Sequence, residues 1–215
     1  MIQGKGAQSN PENPFLKHAV TMEHDEGIDV YTQLEKPKTE IFFETPKHVI
    51  SKNNSPDLNH EYSVNPYQGC EHGCSYCYAR NSHTYWGWSA GLDFESKIIV
   101  KKEVAQNLAN EFQKRTYRVK PIMLSGNTDC YQPIEREFKL TRAILEVALN
   151  YRHPISLITK NALILRDLDL IAQLAKLNLI HVHFSITSLD EKIRSKLEPR
   201  TSTAKKKLNA IEILT

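Results

Sequence analysis

Three cysteines fall within eight residues, Cys70, Cys74 and Cys77, in the run GCEHGCSYCY over residues 69–78. The spacing is C-x3-C-x2-C, with a glycine before each of the first two cysteines. Three thiolates on one tight loop suit three corners of a cubane iron–sulfur cluster, whose irons usually take one cysteine each. A loop that supplies three leaves one iron open, and an open metal position is where chemistry can occur. The register differs from the C-x2-C-x2-C-x3-C run of bacterial ferredoxins. Two other readings use the same residues. One is a structural zinc site completed by His72, His83 or Cys130. The other is an electron-transfer cluster with Cys130 as the fourth ligand.

Composition narrows the setting. Four cysteines among 215 residues, three of them clustered, read as metal ligation and not as a disulfide framework. A reducing, cytoplasmic compartment follows. A net charge of +3 is too weak to argue for nucleic acid by itself. The N-terminus lacks the apolar stretch of a signal peptide, and no apolar run is long enough to cross a membrane.

Residues 1–60 read as an irregular N-terminal extension, with turn chemistry at 10–14 and 51–56 and short strands at 41–43 and 48–50. Phe15, Leu16, Phe42 and Phe43 are its candidates for packing on the main domain. From residue 61 the pattern alternates. Strands are expected over 62–67, 121–125, 154–159 and 179–186, and helices over 103–115, 135–151, 161–177, 188–196 and 202–214. Strands alternating with helices imply an α/β fold with a parallel sheet, curling toward a barrel whose site lies at the C-terminal strand ends. Alternation along the fourth strand puts Ile180, Val182, Phe184 and Ile186 on one face and His181, His183 and Ser185 on the other. On the third strand, Ser156 and Lys160 share a face. One face of the sheet is thus apolar and the other, toward the lumen, is polar.

The loop resembles a known signature. C-x3-C-x-aromatic-C is similar to that of the radical S-adenosylmethionine (SAM) superfamily. Four segments resemble its branch related to spore photoproduct lyase, the light-independent thymine-dimer repair enzyme. They are NPYQGCEHGC (65–74), GNTDCYQPIE (126–135), Thr159-Lys160 and Glu198-Pro199-Arg200. The resemblance implies a partial (β/α) barrel with about four βα units present. It implies a [4Fe–4S] cluster on Cys70, Cys74 and Cys77, and SAM cleaved by the reduced cluster to methionine and a 5′-deoxyadenosyl radical that abstracts hydrogen from a substrate. Lys160 and Ser185 match residues that contact SAM. Ser125, Gly126 and Asn127 match the stretch that lines its amino group, and Asp129 matches an aspartate of the lyase pattern. An external electron donor of flavodoxin or ferredoxin type is implied, with nucleic acid among the candidate substrates.

One position departs from the lyase pattern. The lyase carries a cysteine before that aspartate which returns hydrogen to the product radical, and Gly126 stands there instead. Cys130 is either a displaced hydrogen donor or a buried inert thiol. Tyr76, Tyr78, Tyr85, Trp86 and Trp88 form an aromatic group whose expected role is to shield the cluster. His181 and His183 read as hydrogen-bonded interior histidines, and Lys205, Lys206 and Lys207 as a solvated helix face. The sequence stops at IEILT (211–215) inside a helical pattern with no capping signal, which predicts a core incomplete at its C-terminal end.

Overall fold

The computed structural model describes residues 2, 4–16, 38–55, 57 and 60–215. The chain begins with β1 (Glu40–Phe43), β2 (Ser51–Lys52), β3 (Tyr62–Val64) and β4 (Tyr67–Gln68). The cysteine loop follows, then a 3-10 helix over Tyr78–Trp86, α1 (Leu92–Ser96) and β5 (Lys97–Val100). Next come α2 (Val104–Phe112), β6 (Ile122–Leu124), α3 (Glu135–Phe138), α4 (Leu140–Asn150) and β7 (Ile155–Thr159). The described chain closes with a 3-10 turn over Ala162–Asp167, α5 (Leu168–Lys176), β8 (Ile180–Phe184), α6 (Glu191–Leu197) and α7 (Ala204–Leu214).

The larger sheet has the order β2-β3-β6-β7-β8, and β3, β6, β7 and β8 are parallel. This is the alternating α/β architecture expected from the sequence. Its apolar face carries Tyr62, Val64, Ile122, Leu124, Ile155 and Leu157. Leu108 of α2, Ile144 and Leu145 of α4, and Ile171 and Leu174 of α5 close over that face in one core. The other face carries Ser63, Met123, Ser156 and His181 in a single register row, with Ile158 and His183 paired two residues further on. Ile158, His181 and His183 are exposed, so this polar face is open.

Breakers explain where elements differ from expectation. The strand expected over 62–67 splits into β3 and β4, which lie in different sheets. Pro66 has no N–H for a ladder, and the Asn65 side chain turns away to accept Asn127 N–H at 2.9 Å. The helix expected over 135–151 is two helices. Lys139 between them has φ 52°, and the Glu135 carboxylate accepts Thr141 N–H at the start of α4. The third helix opens as a 3-10 turn capped by Asn161, whose side chain accepts Leu163 N–H at 3.0 Å. Residues 48–50 form no strand; Val49 and Ile50 pack on the core just before β2.

The smaller sheet, β1-β5-β4, was not anticipated as a unit. Its centre, β5, is a short apolar run, which periodicity alone cannot assign. Its register brings Tyr67 opposite Val100 and Gln68 opposite Ile99, so β4 delivers the chain directly into the cysteine loop.

The core carries a direct test. Leu108 is fully buried between α2 and the sheet. Leu108→Ala is expected to lower unfolding free energy by about 2–5 kcal/mol through lost transfer energy and a cavity. Urea denaturation followed by circular dichroism measures it.

Candidate functional site

The cysteine loop has no helix or strand of its own, so its backbone is fixed by partners from elsewhere. Gly69 and Gly73 have φ of 81° and 66°, in the left-handed region that favours glycine. A Cβ at Gly73 would lie 2.7 Å from a Glu95 carboxylate oxygen. Gln132, wholly buried, clamps the entry: its carbonyl oxygen accepts Glu71 N–H at 2.9 Å and its amide donates to Gly69 O at 3.0 Å. Cys70 N–H donates to Phe94 O, Ser75 N–H to Leu197 O, and Arg200 N–H to His72 O. Arg80 donates twice to Cys74 O, at 2.7 and 3.2 Å.

These ties point all three thiols into one pocket of about 270 Å³. His72, Tyr76, Tyr78, Ser125, Asn127, Thr128, Asp129, Ile158, Thr159, Lys160 and Ser185 complete its walls. Cys70 and Cys74 are buried, and all four cysteines are free. Burial pushes the Cys70 thiol up, with Asp129 adding to it. Burial, then the Glu198 charge, pushes Cys74 up to about 12, while Lys160 opposes the shift. Both stay neutral thiols until a cation compensates the charge of the thiolate, which is the condition a metal centre meets.

Lys160 and Ser185 meet as alternation indicated. The Lys160 ammonium donates to Ser185 Oγ and lies 3.0 Å from Glu198 Oε1. Burial alone would lower its pKa, but Glu198 outweighs this and holds it above the lysine range. In the sequence Glu198 stands out only as part of a motif; the structure makes it the hub of this wall. It is fully buried and accepts from the hydroxyls of Tyr76 and Thr187 as well as from Lys160. On its other side stands Lys207, fully buried, 3.0 Å from Glu198 Oε2 and donating to Ser185 O at 3.2 Å. Lys207 therefore departs from the solvated face expected of the lysine run; Lys205 and Lys206 are exposed and Lys207 is not. Burial alone would raise the Glu198 pKa, but donors from Thr187, Tyr76 and the two lysines bring it down to about 2.

The remaining predicted residues separate. Ser125, with φ 73°, and Asn127 line the pocket. Gly126 is not among the residues that line it; its carbonyl accepts from the hydroxyl of Tyr78, which is. A Cβ at Gly126 would meet Ser63 Cβ at 3.4 Å, Ser63 Oγ at 3.8 Å and Met123 Cγ at 3.9 Å. Asp129 reaches the pocket wall, but its oxygens accept from Tyr131 N–H, Thr159 Oγ1 and Lys160 N–H at 2.8–2.9 Å. Burial alone would raise its carboxyl, but His72 and these donors hold it below the usual range. Asp129 thus ties the turn after β6 to the end of β7. Cys130 points away from the pocket into the core, fully buried.

Of the fourth ligands expected under the two alternative metal readings, His72 lines the pocket and His83 and Cys130 do not. The His72 ring nitrogens face Asp129, at 3.3 Å in off-angle contact, and Asn161 Nδ2 at 3.4 Å. His83 is enclosed by Trp88 and Phe94, and Cys130 lies in the core. Among the described residues no three His, Cys, Asp or Glu side chains gather as ligands of a single ion. The aromatic group divides as well. Tyr76 and Tyr78 flank the pocket, whereas Tyr85 faces solvent and stacks on Phe15, so it shields nothing.

Residues 64–215 match the family model described as the Radical SAM superfamily. An uncharacterized protein of Mycobacterium tuberculosis is 35% identical over 158 residues, covering 74% of this chain and 46% of that protein. An uncharacterized protein of Methanocaldococcus jannaschii is 32% identical over 180 residues, covering 82% of this chain and 63% of that protein. The chain spans about half the length of the first of these relatives. Among solved structures, spore photoproduct lyase complexed with dinucleoside spore photoproduct superposes with a TM-score of 0.58 at 20% identity, over 89% of this chain and 53% of that one. At this identity the likeness is one of fold.

The Glu198 hub gives two measurable outcomes. Removing one partner of a buried ion pair costs about 3–5 kcal/mol, so Lys207→Met should lower stability by that order while Lys205→Met leaves it unchanged in urea unfolding. Because the Glu198 pKa is depressed on folding, from 4.5 to about 2, its contribution is full above about pH 4.5 and is lost as pH falls toward 2. The acid limb of the stability profile should therefore flatten in Glu198→Gln.

Proposed function

Because the chain belongs to the radical SAM superfamily, we propose that Cys70, Cys74 and Cys77 hold a [4Fe–4S] cluster and that the same pocket binds SAM. The observation that carries this reading is selective. Three of the four free cysteines line one pocket together with Lys160 and Ser185, and the fourth is in the core. When bound, the cluster supplies an electron that cleaves SAM to methionine and a 5′-deoxyadenosyl radical able to abstract hydrogen.

The chain's own residues then have definite work. The Lys160 ammonium, kept charged by Glu198, offers a counter-charge to the carboxylate of SAM. The Ser185 hydroxyl, held by Lys160, offers a hydrogen bond beside it. Carbonyls of the turn 125–127 suit the amino group, with Gly126 O fixed by the Tyr78 hydroxyl. Tyr76 and Tyr78 flank the mouth. The open sheet face bearing Ser63, Met123, Ser156, His181 and His183 adjoins the pocket at Ile158 and is the surface on which a substrate would lie.

The substrate reaction is not the lyase's by analogy alone. Cys130 is behind the pocket, and Gly126 offers no thiol. Among the described residues, hydrogen return from a cysteine would have to use a cluster ligand. We therefore assign radical generation and hydrogen abstraction, and leave thymine-dimer repair unassigned; nucleic acid stays among the substrates to be tried. The electron comes on this reading from an external flavodoxin- or ferredoxin-type donor. Four free thiols suit a reducing, cytoplasmic setting. No described helix is long and apolar enough to cross a membrane.

Anaerobic reconstitution with iron and sulfide, then SAM and dithionite, tests the reading. A brown protein with roughly four irons per chain, a reduced-cluster EPR signal altered by SAM, and 5′-deoxyadenosine in the products are expected. Cys74→Ala should lose the intact cluster, and Cys130→Ala should keep both the cluster and SAM cleavage. An EPR signal indifferent to SAM, or iron lost in Cys130→Ala, overturns it.

A further inference from the structure

Residues 5–13 form no helix or strand, yet almost every one is tied down. The Glu95 carboxylate, fully buried, accepts Gly6 N–H at 3.2 Å and Ala7 N–H at 2.7 Å. Lys5 Nζ donates to Glu95 O at 3.2 Å. Leu92 N–H donates to Ser9 O, and Asn10 and Asp93 exchange two hydrogen bonds. Ser89 Oγ donates to Pro11 O at 2.6 Å, and Asn13 Nδ2 reaches Thr84 O and Trp88 O. Terminal segments without such ties fray. Of the apolar residues expected to dock this extension, Phe42 and Phe43 pack on Trp88 and Phe138, but Phe15 and Leu16, which follow the strap, are 63% and 52% exposed. Backbone amides and carbonyls, with the polar side chains of Lys5, Asn10 and Asn13, dock residues 5–13 instead.

The strap ends on the cysteine loop. A Cβ at Gly6 would lie 1.9 Å from Gly73 O, so the two backbones touch where no side chain fits. Gly73 stands between Cys70 and Cys74. Glu95 joins the two segments, because the same carboxylate that accepts the strap's amides also pairs with Arg80, and Arg80 holds the Cys74 carbonyl. A buried carboxylate needs all these donors, since an unmade partner leaves it desolvated and underpaired. Displacing the strap therefore loosens Glu95, then Arg80, then the backbone of Cys74.

We propose that residues 5–13 are part of the cluster site: they clamp the loop 70–77 from outside the pocket, with Gly6 and Glu95 as positioning residues. This rests on the cluster reading above. Three ligands on an irregular loop hold a cluster only as firmly as the loop keeps its shape. The strap supplies that firmness without touching the pocket, whose walls include none of its residues.

Gly6→Ala tests it, because the added methyl must lift the strap from Gly73. Ser9→Ala is the control, since among the described residues Ser9 is held by its backbone carbonyl and its hydroxyl makes no hydrogen bond. Expected for Gly6→Ala are an unchanged far-UV spectrum, anaerobic cluster loss to a chelator several-fold faster than in the parent or Ser9→Ala, and a broadened EPR signal of the reduced cluster. In the apo chain, Cys70 and Cys74 should be alkylated by iodoacetamide several-fold faster. Should Gly6→Ala fail to fold, the double variant Asn10→Ala, Asn13→Ala loosens the far end of the strap and should give the same changes. Chelation and alkylation rates equal to the parent in a folded variant overturn the proposal. If the parent itself takes up no iron, the cluster reading fails, and the alkylation rates still decide whether the strap clamps the loop.

Discussion

A loop of eight residues that must hold three thiols in fixed places has no ladder or helix of its own to do it. That constraint organises the rest of the molecule. Gln132 from the turn after β6, Arg80 from the 3-10 helix, Arg200 from the segment before α7, Leu197 at the end of α6 and Phe94 in α1 each supply one or two hydrogen bonds to the loop backbone. Elements far apart in sequence thus converge on one irregular segment. Satisfying its buried amides and carbonyls accounts for much of the polar architecture around it.

A second organising element is a single carboxylate between two lysines. Glu198 faces Lys160 at the pocket and Lys207 in the interior, with two hydroxyls on the same oxygen as Lys160. Buried charges are costly unless paired and hydrogen-bonded on every side. Here the pairing joins α7 to the ends of β7 and β8 and fixes the direction of the pocket-facing ammonium. The wall of the pocket and the docking of the last described helix are therefore one electrostatic unit.

Much of this was legible in the sequence. The cysteine spacing identifies the loop, and strand alternation puts Lys160 and Ser185 on lumenal faces. What side-chain patterns do not encode stayed hidden. Lys207 sits in a run of three lysines, and its partner is nine residues away on another element, so nothing local distinguishes it from its solvated neighbours. Cys130 adjoins Asp129 in sequence but turns to the opposite side, into the core. The strap over Gly73 was illegible because half of its contacts are made by backbone groups, which every sequence possesses alike, and the other half by Lys5, Asn10 and Asn13, which read as ordinary turn chemistry; only Gly6 carried a trace, as a residue without a Cβ where none could fit. The split of the 135–151 helix at Lys139 is likewise a matter of one dihedral angle.

Gly126 adds a different point. Its carbonyl is engaged by the Tyr78 hydroxyl, while the direction a side chain would take runs toward Ser63 and Met123 on the open sheet face. The nearest atom there stands at ordinary contact distance, so a small side chain enters without repacking. Backbone and side chain are thus decoupled at this one residue: the carbonyl is already spoken for by Tyr78, while the side-chain direction is vacant, so a methyl added there alters the open face and leaves the hydrogen bond where it is.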